Sequence, residues 1–290
     1  MSSFQLTAPG SNNDLLWGVP LISRGDVVSK LVPCTGNKLI VCGGAGGGLS
    51  FFTKYLILKS YRDASILFID STCSFSRRAE NLSTEWNEKI MAFNEVGYKD
   101  VFSEPLTIPG ITYVDLLADF DTGTPKEDDI RFTNYLIKVV EYISQLPPTK
   151  TTRVLIVERL WLGILSKIPL WESLINLLRV SQKMNLEIWL LAPIDLYGEI
   201  DDNDCLQRFI ELQATIPNVF LLDHRKLIHG HRMQTVWQLT PTEGALFASV
   251  NRDLSSTLLP YREVFAKLDA TTRSQVYGIK AELEEIAIIG

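Results

Sequence analysis

Sulfur and basic charge are both scarce in this sequence. Its four cysteines, Cys34, Cys42, Cys73 and Cys205, are scattered over 290 residues without a CxxC pair. That spacing offers neither a zinc knuckle nor a dithiol redox motif and fits reduced thiols in the cytoplasm. Lysine and arginine number 28 against 34 acids, a formal net charge of −6, and the pI is near 5.2. This balance excludes a surface built throughout to neutralise phosphates, leaving nucleic-acid binding only the support that a local basic strip gives. Nowhere do about eighteen apolar residues follow one another without a charge. The opening MSSFQLTAPGSNND has neither the basic head nor the apolar stretch of a signal peptide. The expectation is a cytoplasmic chain whose membrane association, if any, runs through partners.

What is present has globular composition, with 46% hydrophobic and 21% charged residues and length enough for one large domain. Residues 1–14 are polar and turn-rich and are expected to be a flexible lead-in. The domain is expected over 15–290, with 240–290 as a C-terminal appendage. Short apolar runs at 38–43 (KLIVCG), 65–70 (SILFID), 89–94 (KIMAFN), 111–116 (ITYVDL), 153–158 (RVLIVE), 187–192 (EIWLLA) and 218–223 (NVFLLD) read as strands, most of them buried on both faces. Helical stretches are expected at 48–60, 74–82, 128–146, 171–184 and 203–215. Strand and helix in alternation predict an α/β fold, a mainly parallel sheet flanked by helices. The ending QVYGIKAELEEIAIIG reads equally well as strand or helix.

GGAGGGLS, residues 43–50, follows the first of these strands and opens a helix. In that setting backbone N–H groups surround phosphate oxygens and the helix N-terminus adds partial positive charge. The phosphate-loop frame Gly-x-x-x-x-Gly-Lys-Ser/Thr keeps Gly43, Gly48 and Ser50, but Leu49 stands where the lysine belongs. An isobutyl group cannot neutralise terminal phosphates. Lys54 does not replace the cation, since five helical residues carry it about 7.5 Å along the axis and about 140° around. Lys38 begins the preceding strand, at its far end. Three alternatives stay open here: a ligand-free glycine turn, nucleotide binding without efficient hydrolysis, and a dinucleotide loop with Asp70 as the ribose-binding acid. In the last of these, Leu49 falls at the third glycine position.

A second acid-tipped strand, RVLIVERLW, ends in Glu158 followed by Arg159, where a hydrolysing enzyme of this type shows Asp-Glu. The first acid helps to hold magnesium and the second orients or activates water. A guanidinium cannot accept a proton from water. EIWLLA runs into Pro193, so the polar group that often senses the terminal phosphate is missing as well.

The order of these segments resembles the TraC-type ATPases of conjugation and type IV secretion, a branch of RecA-like hexameric motors. WGVPLISRGD resembles the family's Gly-x-Pro-Leu entry. In SILFIDSTCSFSRRAENL, Asp70, Ser74, Phe75 and Arg77 match its strand and the motif after it. VLIVERLW keeps Trp161 of the Asp-Glu-Ala-Trp strand, and WESLINLLRVSQKMN keeps Arg179 and Lys183 of an Arg-x-x-Arg-Lys helix. The resemblance implies a RecA-like P-loop NTPase fold, with Gly43, Gly48, Leu49, Ser50, Asp70, Glu158 and Arg159 forming a degenerate nucleotide site. With no catalytic residue assigned, it implies a pseudo-ATPase that needs no cofactor and binds ATP or ADP only weakly. Its implied partners are an intact secretion or conjugation ATPase, or other components of an inner-membrane machine, in a homo- or hetero-oligomer. Arg179 and Lys183, one helical turn apart, would form a subunit contact. A slow or composite ATPase and a dinucleotide-sensing domain remain the alternatives.

All three histidines, His224, His229 and His231, lie in DHRKLIHGHR beside Asp223. Their spacing is no established zinc pattern, so no metal site is expected. Arg225, Lys226 and Arg232 make this stretch the best local anion patch, for DNA or an acidic neighbour. Trp161, Trp171 and Trp189 sit among apolar residues and are expected in the core or at subunit contacts rather than as base-stacking platforms.

Overall fold

The computed structural model describes residues 16–17, 19–22, 32–33, 35–42, 49–71, 92–103, 106–116, 125–158, 168–193, 203–222, 226–228, 231–239 and 275–280. Its centre is built from the apolar runs that the sequence marks as buried on both faces. These are β4 (Lys38–Cys42), β5 (Ser65–Asp70), β6 (Phe93–Glu95), β7 (Gly110–Asp115), β8 (Arg153–Glu158), β9 (Leu186–Pro193) and β10 (Asn218–Leu222). All seven run parallel, in the order β10-β4-β9-β8-β5-β7-β6. β5 and β8 are buried at every position, as strands covered on both sides must be.

Antiparallel strands extend the β10 edge. β12 (His231–Leu239) pairs with β10, β13 (Gln275–Lys280) with β12, and β2 (Val19–Ile22) with β13. β11 (Lys226–Ile228) also pairs with β12, while β1 (Leu16–Trp17) and β3 (Val32–Pro33) form a separate ladder. The QVYGIK stretch, undecided in sequence, is a strand because it has a partner on each side. The KIMAFN expectation is corrected to a later and shorter strand, Phe93–Glu95.

Four helices are described: α1 (Leu49–Ser60), α2 (Pro125–Gln145), α3 (Ile168–Val180) and α4 (Asn203–Thr215). The stretch 74–82 lies outside the described residues. α3 starts earlier than expected because Pro169 fits the first turn, where a missing N–H costs little. It also ends earlier. Ser181–Met184 form a 3-10 turn closed by Asn185, which adopts the left-handed conformation (φ 51°, ψ 44°) that terminates helices.

Alternation along the strands sorts the core into two layers. Leu67, Ile69, Leu155, Val157 and Leu190 share one cluster with Val139 of α2 and Leu174 of α3. The other face meets α1: Phe52 packs edge-on against Phe220 with ring centroids 5.6 Å apart, and Tyr61, just past the helix, against Trp189 at 4.7 Å. Trp171 and Trp189 are both buried, which agrees with their expected core role.

The N-terminal rim of the sheet is locked by buried polar groups. Lys38, wholly buried, donates from Nζ to Glu187 Oε2 at 2.7 Å, to the Tyr61 hydroxyl at 2.8 Å and to the Gly36 carbonyl at 2.8 Å. The Gly36 N–H returns a bond of 2.9 Å to Glu187 Oε1. Beside them Asn37 donates to Ser181 Oγ at 3.0 Å and accepts from the Ile188 N–H at 2.9 Å. Farther along the rim, Arg153 Nε and Nη1 donate to the carbonyls of Leu106 and Pro147 at 3.0 and 2.7 Å. Burial pulls this guanidinium below its ordinary basicity, partly opposed by Tyr142.

Candidate phosphate-binding edge

The chemistry anticipated from sequence falls at the opposite, C-terminal rim. β4 stops at Cys42 and α1 starts at Leu49, so strand and helix bracket the glycine-rich stretch of the sequence as expected. Residues 43–48, Gly43 and Gly48 among them, lie outside the described residues. Leu49 and Ser50 occupy the first turn of α1, both partly buried, and the Leu49 carbonyl accepts a 2.9 Å bond from Thr53 Oγ1. An aliphatic side chain therefore opens the helix at the lysine position. Lys54 is 4% exposed and has an interaction of its own within the fold.

β9 lies between β4 and the acid-tipped β8. Its last residue, Pro193, is level with Cys42, the last residue of β4. Glu158 is level with Leu191 of β9, and Asp70 follows the Ile69–Val157 pair on the other side of β8. Asp115 is directly opposite Asp70. Three acids thus stand in one row across β8, β5 and β7, on the face that meets α1. They are 6%, 0% and 8% exposed for Glu158, Asp70 and Asp115. Asp70 Oδ2 accepts a 2.7 Å bond from the Tyr113 hydroxyl. Ser71 Oγ ties the ends of β5 and β8 together by donating to the Glu158 carbonyl at 3.2 Å. Sequence reasoning named Asp70 and Glu158 but passed over Asp115, whose only signal was an acid near the end of another apolar strand.

Other sequence candidates are dispersed. Arg159, Trp161, Asp223, His224, Arg225 and His229 lie outside the described residues. Arg179 ends α3 and pairs with Glu211 of α4 at 3.2 Å, both side chains exposed. Lys183 belongs to the 3-10 turn, so the expectation of one continuous helix carrying both cations is corrected. The left-handed Asn185 and the tightened turn before it rotate Lys183 off the helical repeat. Lys226 lies in β11, and His231 and Arg232 lie in β12. Ile228 pairs with His231, so these described residues of the basic stretch form antiparallel strands. Among the described residues no group of three or more His, Cys, Asp or Glu is arranged to hold a metal ion. Among them, too, no helix is long and apolar enough to cross a membrane.

No protein-family model matches the chain, and no curated protein matches it in sequence. Solved structures do. VirB4 of Thermoanaerobacter pseudethanolicus superposes with a TM-score of 0.56 at 10% identity, over 97% of this chain and 100% of that one. A KaiC-like protein from Pyrococcus horikoshii gives 0.39 at 17% identity, covering 78% and 88% of the two chains. The flagellar accessory protein FlaH of Methanocaldococcus jannaschii gives 0.41 at 11%, covering 72% and 80%. At such identities likeness speaks for architecture alone, and VirB4 matches along nearly the whole chain. Together with the seven-stranded parallel order, it shows an α/β fold of the RecA-like P-loop type.

Proposed function

We propose that this chain is a catalytically deficient relative of secretion ATPases, contributing structure or regulation to a secretion or conjugation machine through an intact motor ATPase. The observation that carries the proposal is Leu49 at the first position of α1. The fold delivers a helix N-terminus to the end of β4, but the side chain there cannot carry charge to a phosphate. Pro193 at the tip of β9 and Arg159 after Glu158 remove two further functions from the same reaction. On this reading ATP or ADP binds weakly and is not required. The chain works in the cytoplasm, reaching the inner membrane through its partners, and a binding surface rather than a reaction centre carries its role.

The buried acids Asp70 and Glu158 favour one second reading, a slow or composite ATPase that takes its cation from a neighbouring subunit. Steady-state phosphate release, measured on the purified chain alone and mixed with an intact secretion motor, separates the two. The proposal expects no magnesium-dependent release above a heat-treated control and co-purification with the motor. Turnover by the chain alone that Gly48→Asp abolishes would overturn it.

A further inference from the structure

At the N-terminal rim of the sheet, one side chain ties two loops together. Arg153 opens β8 and is 1% exposed, and its Nε and Nη1 donate to the carbonyls of Leu106 and Pro147. The 106–110 loop is also anchored at its far end, where the Gly110 N–H donates to the Ala64 carbonyl at 3.0 Å. The 146–152 loop is anchored by Asn185, whose Nδ2 donates to the Lys150 carbonyl at 3.0 Å. The Asn185 carbonyl in turn accepts from the Arg153 N–H at 2.9 Å. Leu106 adopts left-handed backbone (φ 44°), which residues other than glycine seldom do, and its side chain is buried. Two residues later Ile108 is 72% exposed, the most exposed large hydrophobic side chain among the described residues.

Pro109, Pro147 and Pro148 are exposed on the same two loops. Proline rings fix the backbone, so a partner meeting them has little conformational entropy to remove. The charge here is of one sign. Arg153 Nη2 is buried without an acceptor among the described residues, and the two acceptors its side chain does have are neutral carbonyls. The C-terminal end of α2 adds only partial negative charge. Neither loop contains an acid. Lys150 and Lys183, two residues before Asn185, are both exposed and form no ion pair among the described residues. Asp63, on the turn that meets Gly110, has Arg62 beside it.

We infer that the two tied loops form a docking surface for an acidic segment of a partner protein, with Ile108 and its neighbouring prolines meeting an aliphatic side chain and Lys150 and Lys183 meeting the carboxylates. This deepens the proposed reading, in which a binding surface carries the role, by naming that surface. Arg153 lies too deep to touch the partner. It holds the loops side by side and adds positive potential through a medium of low dielectric. An exposed isoleucine ringed by rigid loops gives the segment an apolar anchor, and the cations around it set charge complementarity. A lipid surface is disfavoured, because polybasic lipid recognition takes a cluster of about four or more cations and the net charge of −6 opposes anionic headgroups.

The test is fluorescence anisotropy of the full chain with a labelled synthetic peptide that alternates leucine and glutamate. Its glutamine counterpart should bind about tenfold more weakly. Ile108→Asp should weaken binding of the acidic peptide about tenfold or more. Ile130→Asp, at the other end of α2 from Pro147 and also at an exposed isoleucine, should bind as the unaltered chain does. Lys150→Glu with Lys183→Glu should weaken binding about tenfold and flatten its salt dependence, whereas arginine at both positions should retain it. Circular dichroism of each variant shows that the fold is kept. No peptide binding by the unaltered chain, equal binding of the glutamine peptide, or equal losses in Ile108→Asp and Ile130→Asp would overturn the inference. So would Ile108-dependent sedimentation with phosphatidylserine vesicles in place of peptide binding. Failure here leaves the proposed catalytic deficiency to the turnover test. Magnesium-dependent turnover alongside Ile108-dependent peptide binding would sink the deficiency and leave the docking surface standing.

Discussion

Lys38 and Glu187 join the starts of two neighbouring central strands through an ion pair of 2.7 Å, with the lysine side chain wholly buried. The aromatic rings of Trp189 and Tyr61 lie 4.7 and 5.0 Å from the same ammonium. Removing one member leaves the other charged and desolvated. Lys38→Met should therefore cost about 3–5 kcal/mol in urea unfolding. Adding Glu187→Gln to Lys38→Met should recover part of that loss. Strict additivity of the two substitutions would show that the pair does not act as a unit.

Tyr113→Phe takes one donor from the buried carboxylate of Asp70. Hydrogen bonds to charged groups contribute about 1.5–3 kcal/mol, and the urea midpoint should fall accordingly with an unchanged slope. A midpoint equal to that of the unaltered chain would place Asp70 in the care of its other neighbours.

Leu49→Lys should raise ATP affinity about tenfold, by returning a point charge to the helix start. It should not produce rapid turnover, because Arg159 still follows Glu158. Calorimetry and phosphate release on one sample decide this. A motor-like rate from the single substitution would show that the end of β8 is competent as it stands.

Arg179→Glu combined with Lys183→Glu should shift stability by less than about 1 kcal/mol, since the Arg179–Glu211 pair is exposed on both sides. The double variant should nonetheless lose co-purification with the intact motor while its circular dichroism stays the same. Complex formation at the original level would remove these two cations from the contact.

The parallel sheet was legible because strands covered on both faces must be apolar throughout, and RVLIVE and SILFID advertise this without any alignment. The missing lysine at Leu49 was equally legible, as a departure within a local frame. Lys38 was misjudged. It was weighed only as a distant substitute for the phosphate lysine, whereas its partner Glu187 lies 149 residues away in the chain and no local pattern links them. The end of α3 depends on a left-handed asparagine that apolar periodicity does not register.

The polar lock at the strand starts has a consequence for how such a chain can change over generations. Lys38, Glu187, Asn37 and Arg153 hold the N-terminal ends of β4, β8 and β9, whereas Leu49 and Pro193 sit where those strands let go. Loss of a reactive group at one rim does not loosen the fasteners at the other. Such a scaffold can shed its chemistry one residue at a time and still present the same outline to its neighbours. By the same separation, a designer can reinstall groups at the open rim without first rebuilding the foundation.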